Sequence, residues 1–351
     1  MTVLTAVKKN HKTPSQTSMQ ELYQRLQQAG FNRTFVQDYL LPDWWDDSLG
    51  ENPTMRAVAD VGIARLIGVS IHALHTPGAP LHLAPSHEFR LKRNKGITVG
   101  ELLPAIALAQ SAAHILAETL EELPPFVTGA HALAVREAIL AQHATVDLNS
   151  LLAWAWAHGI IVVHLCRLPL HAKKFSGIAL FDDARPVIVL ADGRDSPPWL
   201  AFHLAHELGH ILLGHVQPGQ ILLDDNIDRR HHLLDAVEDP NFERLEAEAN
   251  VFAMTLLTAQ PEMRFAMQRE LTGETLATRV QQRAGQSRID AGTLALLYGY
   301  STGRMGVAQN ALKQLGRLEG ARELIAEMLK RHLPEALPES LSTLLPLINC
   351  R

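Results

Sequence analysis

Cysteine is nearly absent. The 351 residues hold two, Cys166 and Cys350, too few for a disulfide framework, and this usage fits a reducing cytoplasm. No run of about 18 apolar residues occurs, so no membrane span is expected. The opening stretch MTVLTAVKKNHKTPSQTSMQ has no apolar signal region, so a cytoplasmic location is expected. Positive charge is not in excess either. Lys and Arg number 32 against 37 Asp and Glu, a net charge of −5, which excludes a generally basic nucleic-acid binder but not a local basic patch. Internal repeats and low-complexity tracts are also missing. Hydrophobic residues are plentiful at 47%, so a chain of this length can bury a sizeable core and divide into two or three domains.

Residues 1–18 read as a polar, flexible lead, with Ser18 placed to cap a helix from Met19. In IARLIGVSIHAL, a glycine turn at Gly68 precedes a short helix after Ser70. Residues 19–80 therefore read as a helix-turn-helix-like helical domain, and 81–128 as a helical connector. That connector includes HEFRLKRNKG, where Arg90, Lys92, Arg93 and Lys95 form a basic cluster able to touch phosphates. An Ala/Leu-rich helix follows, opened by Thr98 and Glu101 in a capping-box arrangement. The texture changes at VDLNSLLAWAWAHG, a helix closed by Gly159. IIVVHL, SGIALF and PVIVLA are three short β-rich runs separated by turn residues, which predict a small three-stranded sheet. The last 90 or so residues are helical with glycine breaks.

Between the third of these runs and an acidic stretch lies AFHLAHELGHILLGH, with four histidines on an otherwise apolar helix. His206-Glu207-Leu208-Gly209-His210 is an HExxH pattern. Residues four apart share a helix face, one turn above the other, so both imidazoles can bind one metal ion. Glu207 sits beside them, where its carboxylate can accept a proton from water that the metal has made acidic. Buried His and Glu side chains need partners, and a metal supplies one. A catalytic zinc takes three protein ligands. The third is expected from ERLEAEANVFAMTLL, where Glu246 and Asn250 share a face. Glu246 is the chosen ligand, Asn250 orients a ligand from one turn on, and Glu248 is the fallback. His203 and His215 read as structural histidines, with contact to substrate as the alternative.

AHELGHILLGH followed by EAEANVFAMTLL resembles the ImmA/IrrE metallopeptidases. The upstream HGIIVVHL, FSGIAL and PVIVLADGRDSPPWLAFHLAHELGH fit that family's short sheet leading into an active-site helix. The likeness covers about residues 129–260, within an expected peptidase domain of residues 129–262 and ahead of a helical C-terminal domain, 263–351. LLTAQPEM stands where many members read Leu-Leu-Met-Pro; the departure falls at the end of the second helix, away from the ligands. The resemblance implies a gluzincin-like site with one Zn²⁺ per chain on His206, His210 and Glu246, and Glu207 as general base. Such enzymes cleave a repressor at a specific site and release a stress, mobile-element or phage-defence operon. The family fold also puts the first strand beside the substrate groove. Cys166, just past that strand, is then a candidate inhibitory fourth ligand, since thiolates bind zinc well; a small buried residue is the other reading.

The expected fold is α+β, predominantly α: a zincin-like core with the small sheet and the HExxH helix, flanked by helical N- and C-terminal domains. The expected function is zinc-dependent endoproteolysis of a helix-turn-helix repressor encoded nearby, with DNA as a candidate activating ligand and no membrane partner. The alternatives are a non-cleaving DNA-binding regulator on a metallopeptidase scaffold and a hydrolase of broad peptide specificity.

Overall fold

The computed structural model describes residues 18–83, 88–92, 99–224, 240–265 and 271–349. The expected flexible lead, apart from Ser18, lies outside them, as do Arg93, Lys95 and Thr98. The N-terminal part holds α1 (Met19–Gln28), α2 (Arg33–Phe35), α3 (Pro53–Ile67), α4 (Ile71–His75) and α5 (Val99–Thr119). Ser18 accepts from the Glu21 backbone N–H at 3.2 Å and so starts α1. Gly68, at φ 67°, ends α3, and Ser70 caps α4 by accepting from the Ala73 N–H. The α3–α4 pair thus has the expected helix-turn-helix order. Its second helix is only five residues long, IHALH, and carries no Lys or Arg.

α6 (Ala132–Leu140) and α7 (Leu148–Ala157) follow. Asp147 and Ser150 form a reciprocal capping box at the start of α7. Gly159, at φ 73°, then turns the chain into the sheet. The three anticipated strands are β2 (Ile161–His164), β3 (Gly177–Asp182) and β4 (Arg185–Leu190). β3 and β4 form an antiparallel hairpin across Asp183, whose φ of 49° suits a two-residue turn. Their apolar residues are buried on both faces, so these strands read as continuous hydrophobic runs rather than alternating ones.

Among the described residues the sheet has five strands rather than three, in the order β1-β5-β3-β4-β2. β1 (Glu88–Lys92) pairs in parallel with β5 (Gln220–Asp224), Glu88 opposite Gln220. β1 comes from the basic stretch and includes Arg90 and Lys92. A partner this distant in sequence leaves no local trace, and strand formation depends on such context. β5 also pairs antiparallel with β3.

Against this sheet lies α8 (Pro197–Leu212), and α9 (Pro240–Thr258) packs on α8 and α6. The C-terminal part contains α10 (Gly273–Ser287), α11 (Ala291–Thr302), α12 (Met305–Gln314), α13 (Ala321–Lys330) and α14 (Glu339–Ile348). One hydrophobic cluster runs through the fold from Leu22 to Ile348. By length and composition Gly100–Thr119 could cross a membrane, contrary to the reading of the sequence, but 67% of it is buried inside the fold. This α5 segment packs on α3, α14, β3 and β4, as a core helix does.

Candidate metal centre

α8 starts with Pro197 and Pro198 in its first turn, where missing N–H groups cost nothing. Ser196 does not cap it; its hydroxyl donates to the Arg317 carbonyl at 2.7 Å instead. Every residue of the helix except Phe202 is buried. His206 and His210 point their Nε2 atoms at each other across 3.0 Å.

α9 crosses close by because Gly209 has no side chain. A Cβ there would stand 3.2 Å from the Ala249 Cα and the Phe252 Cβ. This approach delivers Glu246, buried at 3% exposure. Its Oε1 lies 3.2 Å from His210 Nε2, and its Oε2 lies 3.7 Å from His206 Nε2. Ligand atoms of all three residues fall within 4.8 Å of one another, a set that could hold a metal ion.

The donor set fits such an ion. Two atoms each about 2.0–2.1 Å from a tetrahedral ion stand about 3.3 Å apart, and the observed 3.0, 3.2 and 3.7 Å bracket that value. The rings also have the right tautomers. His206 Nδ1 donates to Asn250 Oδ1 at 3.1 Å, which leaves the Nε2 lone pair free. His210 Nδ1 lies 3.1 Å from His215 Nδ1, and His215 Nε2 donates to Glu248 Oε2 at 3.0 Å. With the His215 proton committed to the carboxylate, His215 Nδ1 must accept from His210, so His210 too presents a bare Nε2. Arg244 closes the chain at 2.6 Å from Glu248. Burial pushes the His210 imidazole down to about 4, which keeps it neutral, and burial also lowers His215. The guanidinium of Arg244 holds the Glu248 carboxyl below its usual range.

Sequence reasoning left His215 as a structural residue and Glu248 as a spare ligand. Glu248 instead braces His215, and His215 braces His210. The signal was present in GH after HILL. Gly214, at φ 73°, makes a Schellman turn, with its N–H on the Ile211 carbonyl and the His215 N–H on the His210 carbonyl. That turn folds His215 back onto the helix end.

Glu207 is fully buried and lies against β3. Gly177 makes room for it: a Cβ at that position would sit 2.7 Å from the Glu207 Cγ and Cδ. Nothing in SGIALF, read as a β-rich run, marked this glycine as the space for a carboxylate. His203, one turn before His206, is buried with its Nε2 3.6 Å from Asp192 Oδ2, and burial pushes it down to about 3. His206, Glu246, His203 and Asn250 line one end of a cavity of about 450 Å³.

Residues 160–289 match the family model described as the IrrE N-terminal-like domain of the peptidase M78 family. The chain carries an IrrE-like peptidase domain. No curated protein and no solved structure matches the chain. The IrrE-like domain spans β2, β3, β4, α8, β5, α9 and α10, and so contains His206, Glu207, His210 and Glu246.

Cys166, the candidate fourth ligand, is not in the set of converging ligand atoms. The Cys166 Sγ lies 3.5 Å from His164 Nδ1 and 3.8 Å from the Ile348 carbonyl, and its backbone N–H donates to the Leu347 carbonyl at 2.8 Å. It belongs to the seam between the end of β2 and the end of α14. Cys166 is also disulfide-bonded, so it has no thiolate to offer a metal, and two cysteines do not by themselves point to a reducing compartment. Of the cluster expected to touch phosphates, Arg90 and Lys92 lie on β1; Arg93 and Lys95 fall outside the described residues.

Proposed function

We propose that this protein is a zinc-dependent, site-specific endopeptidase whose substrate is a helix-turn-helix transcriptional repressor, encoded nearby. Cleavage would release a stress, mobile-element or phage-defence operon. The observation that carries the reading is the buried meeting of His206, His210 and Glu246, with Glu207 set beside them on the same helix. His206, His210 and Glu246 would hold one Zn²⁺, which when bound would supply Lewis acidity for a peptide carbonyl and for a water. Glu207 is the base that accepts the water's proton and returns it to the leaving amine. Gly177 lets that carboxylate stand against β3. Asn250, His215, Glu248 and Arg244 hold the two imidazoles in the tautomer a metal needs.

Selectivity has to come from outside the zinc chemistry, and the elements before β2 and after α10 can dock a folded partner. DNA is included as a candidate activator. The short α4, without Lys or Arg, supports proteolysis over base reading by this chain. The test is to incubate the zinc-loaded protein with the repressor from the adjacent reading frame, with and without DNA fragments or oxidant. One or two defined products are expected. No cutting under any condition, or equal cutting by Glu207→Gln, would overturn the proposal.

A further inference from the structure

α3 is apolar on both of its sides. Ala59, Ile63, Leu66 and Ile67 face the core. On the opposite side Met55, Val58 and Val61 are 37%, 37% and 47% exposed, and Thr54 and Ala57 are exposed beside them. A surface helix ordinarily carries charged and polar groups on its outer face, and a helix that is apolar all round is covered on both sides. The described residues leave this outer side bare. Charge appears only at its two ends: Glu51, just ahead of the cap Asn52, and Arg65, in the last turn, both exposed.

The same face holds a glycine that the chain's own packing does not need. Gly62 lies inside α3 and is not among the glycines of positive φ. A Cβ there would meet only the Leu40 carbonyl oxygen, at 3.8 Å, an ordinary contact. Glycine in a helix interior lowers the helix's stability, and it leaves a gap that a neighbouring group can enter.

We propose that the outer face of α3 is a self-association surface, on which a second copy of this chain packs its own α3, antiparallel, about a two-fold axis at Val58. The pattern along the helix selects a second copy. At 3.6 residues per turn, Thr54, Met55, Val58, Val61, Gly62 and Arg65 fall on one side. An antiparallel pair centred on Val58 sets Met55 opposite the partner's Gly62, a long side chain over a gap, and Thr54 opposite the partner's Val61. Glu51 lies as far before Val58 as Arg65 lies after it. Each end of the pair therefore joins opposite charges, whereas a parallel pair would set like on like. Such self-complementarity is what an isologous two-fold interface requires.

Burial of the apolar strip drives the pairing, and the end charges fix its direction more than they add to its strength. The 15 residues of α3 span about 22 Å. One helix face of that length falls short of the roughly 800 Å² per partner of a standard interface, so the dimer forms with rising concentration and is not obligate. The pairing is independent of the peptidase reading, because α3 carries none of the residues that converge at the metal centre.

The full chain is followed by sedimentation velocity from about 5 to 500 µM, a range that covers weak association. Wild type should move from one chain to two as concentration rises. Val58→Glu sets two carboxylates against each other on the axis and should stay a single chain throughout. Gly62→Leu fills the gap. The space there is open within the chain, so urea unfolding should show stability no lower than wild type while the dimer is lost. Glu51→Arg and Arg65→Glu each bring like charges together at both ends and should weaken association by about fivefold or more. The double swap, Glu51→Arg with Arg65→Glu, restores opposite charges and should return association to within about twofold of wild type. Circular dichroism and zinc content per chain should be the same in every variant.

A single chain at every concentration overturns the proposal and leaves the face to residues 1–17 or to another protein. A dimer that survives both Val58→Glu and Gly62→Leu has its interface elsewhere and overturns it equally. Loss of the dimer in the single charge variants without recovery in the double swap overturns the antiparallel pairing. Loss in the single variants with recovery in the double swap supports it, and that comparison decides alone if Val58→Glu does not fold.

Discussion

Two helix pairs in this protein bury ionisable side chains, and they do so with opposite logic. In α3–α4, Arg56 and Asp60 are 1% and 0% exposed, with Arg56 Nε 2.8 Å from one Asp60 oxygen and His75 Nε2 3.0 Å from the other. That set carries both signs, which meet within it, although the buried Arg56 Nη2 has no hydrogen-bond partner. In α8–α9, two imidazoles and a carboxylate bring their ligand atoms to one point, within 4.8 Å of one another. A self-neutralising set holds a fold together; a set of converging electron-pair donors is a place for a cation. Burial alone does not distinguish the two. The chemical type of the converging atoms does.

The contrast breaks first if the α8–α9 set is not a metal centre. His210→Ala should abolish stoichiometric zinc. Glu207→Gln should keep about one zinc per chain and lower peptide cleavage by at least 10²–10⁴-fold. Elemental analysis beside a cleavage assay checks both, and equal zinc in His210→Ala would refute the site. At the other pair, Arg56→Ala should lower unfolding stability by about 3–5 kcal/mol, because it leaves Asp60 buried without its main partner. Zinc content should not change. A urea titration reads the loss, and a variant that loses metal instead would mean that the two pairs are not independent.

Gly177→Ala sharpens the contrast within the α8–α9 set. It should push the Glu207 carboxylate off β3 and cut turnover by about tenfold or more while zinc stays bound, since a misplaced base loses much of its effect. His215→Ala should weaken zinc by about 10–100-fold, the usual cost of removing a partner that orients a ligand. Competition with a chelator measures it.

The last test is in pH. Burial holds His164 at about 4 and His203 at about 3, against 6.5 in the unfolded chain. Folding keeps both neutral, so the unfolded state binds more protons between those values. Stability of metal-free protein should therefore rise with pH from about 4 to 6.5 and be lost on acidification through that window. A urea midpoint equal at pH 5 and pH 7 would contradict this.

Local signals were readable wherever the cause was local. Ser18, Gly68 and Gly159 could be assigned because caps and left-handed turns involve neighbours in sequence. The runs at β2, β3 and β4 were legible because they are apolar throughout. β1 was read as a charge cluster, since its strand character depends on β5, far along the chain. Glu248 looked like a spare ligand because helical spacing tells which face a residue takes but not what stands opposite. Cys166 looked like a zinc ligand because its place after β2 was known and its packing against α14 was not.

The sequence by itself determined the spacing that sets His206 and His210 on one helix face, the apolar flanks that bury them, and the second acidic helix able to supply a carboxylate. Those follow from a 3.6-residue period and from side-chain chemistry. Only the tertiary structure decided that Glu246 is the carboxylate that arrives, that Gly209 and Gly177 are the spaces it and Glu207 depend on, and that an apolar cavity opens from the same residues. Each of these is a meeting of elements distant in the chain, and close packing, which local sequence does not encode, chooses which atoms touch.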